Sequence, residues 1–177
     1  MLNDTQMERM LGKMTRLERT YEPLIFSKIG EMETRMLETA ERLHDIPAAD
    51  AGWRPVAAGG RWGGEGRYAW FSGEVRVPAA FAGQRIFLAP QVGGYEAMLW
   101  VNGTPYGTFA TKIVQTGHGN HFCDLVAHAA DPEKPVAVAV EFYAGHYILG
   151  TQPFETIAPS DFRYTFLSMD VCVKNQD

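Results

Sequence analysis

The sequence predicts a mainly β protein: an antiparallel β-sandwich preceded by an N-terminal α-helical segment. Beyond Tyr68, roughly seven to nine short runs of strand-forming residues are separated by turns rich in Gly and Pro. These runs do not alternate with helical segments, as a parallel sheet would require. The first 45 residues instead show helical periodicity. We therefore divide the chain into a helical segment, residues 1–45, and a sandwich domain, residues 46–177.

The N-terminal segment carries two apolar stripes with helical spacing. In the first helix, Asp4 is the expected N-cap, and Pro23 is expected to end or kink the helix. A second helix is predicted over residues 29–43. The two stripes are Met7, Met10, Met14, Leu17, Tyr21 and Leu24, and Ile29, Met32, Met36, Ala40 and Leu43. They could pack on the rest of the chain or form a seam with a partner helix in a homo-oligomer.

The centre of the predicted sandwich is a hairpin within residues 92–107. Asn102-Gly103 is typical of a type I′ turn, because both central residues of that turn need positive φ. Residues 46–66 are predicted to be irregular chain held down by Trp53 and Trp62. Strands are predicted at residues 69–77, 85–89, 96–101, 109–114, 122–127, 136–143, 147–149 and 164–173.

Composition and charge argue against two classes of partner. The formal net charge of −5 disfavours a nucleic-acid groove or an anionic membrane surface, because both need a basic face. The two cysteines, Cys123 and Cys172, are expected to be free thiols of a cytoplasmic protein. The N-terminal residues lack the features of a signal peptide, and no apolar run reaches the roughly 20 residues of a membrane span.

An ordered series of short motifs runs through the strand region. The motifs are Trp70-Phe71, Val77-Pro78, Gly94-Tyr95-Glu96-Ala97, Asn102-Gly103, Tyr106-Gly107 and Glu141-Phe142-Tyr143-Ala144-Gly145. In this order they resemble the galactose-binding-like jelly roll at the N-terminus of glycoside hydrolase family 38 α-mannosidases. The resemblance covers roughly residues 50–173.

The resemblance implies that this chain is the non-catalytic N-terminal domain of an α-mannosidase-like glycoside hydrolase. It would pack against a catalytic domain of the same polypeptide that this chain does not contain. In the family, that catalytic domain holds a zinc ion and cleaves α-mannosidic bonds with retention, so no cofactor is expected here. An independent carbohydrate-binding module of the same fold, with a glycan as its partner, is the alternative.

Three residues are candidates for contact with a carbohydrate. Trp62 lies between glycine pairs and is expected to be exposed for stacking on a sugar ring. Tyr106 lies near the tip of the predicted hairpin. His146 is flanked by Tyr143 and Tyr147, where it could bind a hydroxyl group between two aromatic rings. Packing within the core or between domains is the alternative role for each of these residues.

Metal-dependent and nucleophilic chemistry have weaker candidates. His118, His121 and Asp124 recur at spacings of three and could bind Zn²⁺, although a strand would point the two histidines to opposite faces. Cys123 could act as a nucleophile only if His121 generated its thiolate. Glu96, Glu141 and Glu155 are expected to be isolated on separate elements, so no catalytic residue is predicted in this chain.

Overall fold

The computed structural model describes residues 3–94, 96–110, 123–145 and 160–175, except for the side chain of Glu22. One α-helix, α1 (Asp4–Tyr21), is followed by a 3-10 turn (Glu22–Leu24), and a second 3-10 turn spans Ala79–Phe81. The strands in this part of the chain are β1 (Phe26–Glu31), β2 (Thr34–Thr39), β3 (Arg54–Pro55), β4 (Arg61–Trp62), β5 (Tyr68–Val75), β6 (Ile86–Gln91), β7 (Glu96–Val101), β8 (Thr104–Ala110), β9 (Asp124–Ala127), β10 (Val136–Tyr143), β11 (Tyr164–Thr165) and β12 (Ser168–Lys174).

The strands form the predicted antiparallel sandwich. One sheet has four strands in the order β1-β12-β6-β9, and the other has six in the order β3-β2-β5-β10-β7-β8. A two-stranded ladder, β11-β4, accompanies them. Alternate residues of both sheets, such as Leu88 and Val171 from one and Phe71 and Val140 from the other, share a single buried core. The prediction of a mainly β antiparallel jelly roll is therefore confirmed.

The central hairpin forms at the predicted turn. Asn102 and Gly103 have φ values of 50° and 79°, the left-handed conformation that the turn requires. Asn102 adds a second anchor, because its Oδ1 accepts a hydrogen bond of 3.1 Å from the backbone N–H of Ala137. The hairpin is thus tied to the start of β10, the strand that pairs with β7.

The helical prediction for residues 29–43 is wrong. Residues of this stretch form β1, which pairs with β12, and β2, which pairs with β5. The apolar spacing is compatible with a helix, but pairing within the two sheets and burial of Met36 override that local preference. The helical part of the chain ends much earlier, at Tyr21 and the short 3-10 turn.

The start of α1 also differs from the prediction. Asn3, rather than Asp4, caps the helix, because its Oδ1 accepts a hydrogen bond from the Gln6 N–H at 2.9 Å. The Gln6 Oε1 in turn accepts one from the Asn3 N–H at 3.0 Å, which completes a capping box. Asp4 instead begins the first turn, where its negative charge interacts favourably with the helix dipole.

Other strand predictions differ in detail. The predicted strand over residues 164–173 is divided into β11 and β12. Between them, the backbone N–H groups of Phe166 and Leu167 donate hydrogen bonds to the carbonyl oxygens of Gly60 and Gln91. Of the prediction for residues 109–114, the described part belongs to β8. Residues 147–149 lie outside the described part of the chain. No helix among the described residues is long and apolar enough to cross a membrane.

A second apolar cluster lies on the outer face of the six-stranded sheet. Trp70 and Trp100 are buried there, with ring centroids 6.0 Å apart. The segment between β2 and β3 covers them with Leu43, Ile46 and Trp53. Trp100 lies on β7, within the strand predicted over residues 96–101. This covering segment borders the candidate site described next.

Candidate functional site

A pocket of about 440 Å³ opens on the outer face of the six-stranded sheet, beside the covering segment. Its floor comes from neighbouring strands, because Tyr143 of β10 pairs with Tyr68 of β5 on one side and Glu96 of β7 on the other. The side chains that give it chemical character are Arg42, Tyr68, Glu96, Thr108, Glu141 and Tyr143. The pocket therefore combines aromatic rings with charged groups.

Tyr68 and Tyr143 form an aromatic pair at the pocket wall. Their ring centroids are 4.9 Å apart and the planes are tilted by 33°. The direct cross-strand pairing of the two residues places the rings in contact. Burial is the main cause that raises the pKa of Tyr143, with smaller effects of Tyr68 and Glu65. The Tyr143 hydroxyl group is therefore a neutral hydrogen-bonding group at neutral pH.

Glu141 is a buried carboxylate in this pocket, with only 7% of the residue exposed. One of its oxygens accepts a hydrogen bond of 3.3 Å from the Leu43 N–H, which ties the covering segment to the sheet. Desolvation by burial raises the pKa of Glu141. The Leu43 hydrogen bond, the charges of Arg42 and His44 and the nearby Trp70 indole oppose that rise in the pKa only in part.

Glu96 and Glu141 are not isolated from each other, contrary to the prediction. They lie on adjacent strands and line the same pocket. Glu141 pairs with Met98, two residues along β7 from Glu96, so both carboxylates point to one face. Such diagonal neighbours are typically about 7–8 Å apart. The sequence could not reveal this, because the order and register of distant strands are not visible in local patterns. Glu155 lies outside the described residues.

The prediction that Trp62 is exposed is wrong. Its side chain is completely buried in the core, and its Nε1–H donates a hydrogen bond of 2.7 Å to the Val92 carbonyl oxygen. Its ring packs against Phe71 and Tyr164 at centroid distances of 5.5 and 5.2 Å. The flanking glycines therefore serve close packing, since a Cβ at Gly63 would contact Ala144 and Tyr164.

Tyr106 and the predicted histidine sites have different outcomes. Tyr106 is 44% exposed, and its hydroxyl lies 3.2 Å from Nε2 of His128. Neither Tyr106 nor the buried Trp62 is among the residues that line the pocket. His118, His121 and His146 lie outside the described residues. Their assignments to a metal and a carbohydrate therefore stay predictions.

The described residues offer little for metal or thiol chemistry. They contain no group of three or more His, Cys, Asp or Glu side chains that could hold a metal ion. The Asp124 carboxylate accepts a hydrogen bond of 2.7 Å from the Leu125 N–H. Desolvation is the main cause that raises the pKa of Cys123 to about 12, which opposes the thiolate a nucleophile needs.

The fold is shared with domains of solved glycoside hydrolases. A beta-glucuronidase from Bacteroides uniformis matches with a TM-score of 0.52 and 15% identity, over 83% of this chain and 17% of its own. One from Faecalibacterium prausnitzii matches with a TM-score of 0.52 and 15% identity, over 85% of this chain and 32% of its own. A Ruminococcus gnavus beta-glucuronidase in complex with uronic deoxynojirimycin matches with a TM-score of 0.50 and 14% identity, over 85% and 29%. This chain thus spans less than a third of each of these proteins, and at such identities the likeness shows the fold alone.

Sequence comparison gives a more specific result. No curated protein is significantly similar to the chain in sequence. The family model described as "Alpha-mannosidase, jelly roll domain" matches residues 32–164, which is most of the chain and includes strands of both sheets. The match begins near β2 and leaves α1 outside. The chain belongs to the family of alpha-mannosidase jelly roll domains.

Proposed function

We propose that this chain is a non-catalytic domain of a larger glycoside hydrolase of the α-mannosidase type, where it packs against and supports the catalytic domain of the same polypeptide. The observation that carries the proposal is the family match over residues 32–164, which is to a jelly roll domain. The small share of the similar beta-glucuronidase chains that this fold occupies, 17% to 32%, supports a role as one domain among several.

The substrate and the metal of the whole enzyme belong to the same proposal. The family description supports α-mannosides as the substrate class. A zinc ion would be held by the catalytic domain, since the described residues of this chain bring no suitable set of ligands together. Glu141 has a partner in the Leu43 N–H and fixes the covering segment, which supports a structural role for that carboxylate.

Isolation of the natural polypeptide tests this proposal. Antibodies against the sandwich would capture it from cells of the source organism, and peptide sequencing would identify the domains attached to it. We expect peptides of a glycoside hydrolase catalytic domain. Deletion of residues 32–175 should lower the melting temperature of that catalytic domain. A natural polypeptide without a hydrolase domain, or a catalytic domain indifferent to the deletion, would contradict the proposal.

Carbohydrate binding by the pocket is a second candidate function, and the side chains that line it favour this alternative. The Tyr68–Tyr143 pair offers aromatic surface, and Glu96 offers an exposed carboxylate that can accept hydrogen bonds from sugar hydroxyl groups. Calorimetric titration with mannose-containing oligosaccharides tests it. Binding should weaken at least about tenfold in Glu96→Gln, because a charge-assisted hydrogen bond is lost. Glu133→Gln, at an exposed turn residue, is the matched control. Absence of heat with the unaltered chain would exclude the binding module.

A further inference from the structure

Helix α1 presents an apolar stripe that nothing in the described chain covers. No residue of α1 is buried. The stripe comprises Met7, Met10, Leu11, Met14, Leu17 and Tyr21, which are 46% to 60% exposed. At 100° per residue, these six side chains fall on one side of the helix. A contiguous exposed apolar surface of this kind is typical of an interaction site.

The helix has little internal support of its own. Within residues 4–21, no acidic residue lies three or four positions from a basic one, so favourable ion pairs along the helix are missing. Arg9 and Lys13 are instead like charges at a spacing of four, and Gly12 in the middle disfavours helix. In proteins, most of the stability of a helix comes from packing of its apolar face against another surface. The stripe therefore needs a partner surface.

The spacing of the stripe indicates what that surface is. Met7, Met10, Met14, Leu17 and Tyr21 follow one another at intervals of three, four, three and four residues, and Leu24 continues the series. These are the a and d positions of a heptad repeat, which pack knobs-into-holes against another helix with the same pattern. The partner that fits the stripe best is therefore a second helix with the same heptad pattern.

The charged residues beside the stripe favour one relative orientation of the two helices. Lys13 occupies a g position and Glu18 the e position of the following heptad, while Gln6, Leu11 and Thr20 at other e and g positions are uncharged. Asp4 is also at an e position, but the g residue that would face it in a parallel pair precedes the first residue of α1. Side by side in a parallel pair, each g residue faces the next e residue of the partner, which gives two Lys13–Glu18 ion pairs. In an antiparallel pair, g faces g and e faces e, so neither charge meets its opposite.

We propose that two copies of this chain associate through α1 as a parallel two-helix coiled coil, with the apolar stripe as its seam and Lys13–Glu18 pairs on both flanks. The proposal does not depend on the proposed function of the sandwich. Since the stripe lies apart from the buried core, the sandwich of each copy stays as described above.

Sedimentation equilibrium of the full chain tests the association. We expect twice the mass of the chain, with a concentration-dependent return to one chain on dilution. Lys13→Glu should raise the dissociation constant roughly tenfold, because each ion pair becomes a repulsion. Glu18→Lys should do the same, and the double variant should restore association. Arg16→Glu is the matched control, since it makes the same charge change at an outward position and should leave association unchanged. A single-chain mass at all concentrations, including one caused by another domain covering the stripe, would overturn the proposal.

A cysteine placed in the seam tests the orientation. In a Cys123→Ser background, Met10→Cys should form a covalent dimer on mild oxidation, because identical d positions meet in a parallel pair. Arg16→Cys, on the outer side of the helix, should not. Circular dichroism of the sandwich is expected to be unchanged in all variants, because α1 contributes no buried residue. A dimer that resists cross-linking at residue 10 would overturn the parallel arrangement.

Discussion

Trp62 is held in the core by both its shape and its indole N–H. Trp62→Phe removes the hydrogen bond to Val92 and leaves a buried carbonyl oxygen without that donor, together with a small cavity. We expect a loss of about 2–3 kcal/mol in the free energy of unfolding by urea. Trp53→Phe is the control, because Trp53 is only partly buried although its Nε1–H also donates, to Ala48. Equal losses in both variants would contradict this account.

Glu141 should make stability depend on pH in a defined direction. Because burial raises its pKa in the folded state, the folded chain binds a proton more readily than the unfolded chain. Its contribution is fully favourable below the ordinary carboxyl pKa and is lost as pH rises through the raised pKa. Glu141→Gln keeps an oxygen for the Leu43 N–H but cannot ionise, so the variant should lack this fall in stability.

Urea unfolding of both proteins from pH 3.5 to 8 measures this effect. The difference in stability between Glu141→Gln and the unaltered chain should move in favour of the variant as pH rises. Glu96→Gln, in the same pocket but exposed, is the control and should keep the fall in stability of the unaltered chain. A difference that is constant with pH would show that burial does not dominate at Glu141.

Gly73 allows two chain segments to approach closely in the six-stranded sheet. A Cβ at this position would lie 2.2 Å from the backbone oxygen of Glu33, which cannot rotate away. We expect Gly73→Ala to cost about 1–3 kcal/mol, as overpacking in a well-packed region does. Gly30→Ala on strand β1 is the control, since no atom lies within 4 Å of its Cβ. Thermal unfolding of both variants measures this difference in stability, and equal melting temperatures would contradict the close approach at Gly73.

At the scale of elements, two methionines with the same sequence signal have opposite roles. Met14 and Met36 both lie on apolar stripes with helical spacing, yet Met14 is 60% exposed on α1 and Met36 is fully buried on β2. Met36→Ala should destabilise the sandwich by about 2–5 kcal/mol. Met14→Ala should leave the unfolding of the sandwich unchanged at protein concentrations too low for association. A larger effect of Met14→Ala would mean that α1 packs on the sandwich.

The strength of the local signal explains why some elements could be predicted from the sequence and others could not. The Asn102-Gly103 turn and strand β10 have strong local signals, and both were predicted at their observed positions. Strand β1 contains Lys28 and Glu31, and β2 contains Arg35, Met36 and Glu38. These residue types favour helices locally, and only pairing with β12 and β5 makes the two segments strands. Tertiary context overrides propensity there.

The candidate pocket could not be predicted from the sequence, for a related reason. Its walls come from strands whose neighbours in the sheet are far apart in the chain, as with Tyr68 and Tyr143. Glu96 and Glu141 are distant in the sequence, and only the register of β7 against β10 places them in the same pocket. The prediction for Trp62 is wrong because flanking glycines occur both in exposed loops and at sites of close packing.

At the scale of the whole molecule, the family match and the fold describe a jelly roll domain of the alpha-mannosidase family. The sandwich has its own core, so it is expected to fold without the proposed catalytic domain. The outer face with the Glu141 pocket and the exposed helix α1 are separate surfaces with separate proposed uses. Loss of one should therefore leave the other intact.

The most direct test of the central proposal is the rate of hydrolysis of an aryl α-mannoside, measured side by side for the isolated chain and the natural polypeptide that contains it. We predict no hydrolysis above the uncatalysed rate for the isolated chain, and clear turnover by the natural polypeptide that is lost when its metal is chelated. Turnover by the isolated chain, or an inactive natural polypeptide, would contradict the assignment as a supporting domain of an α-mannosidase.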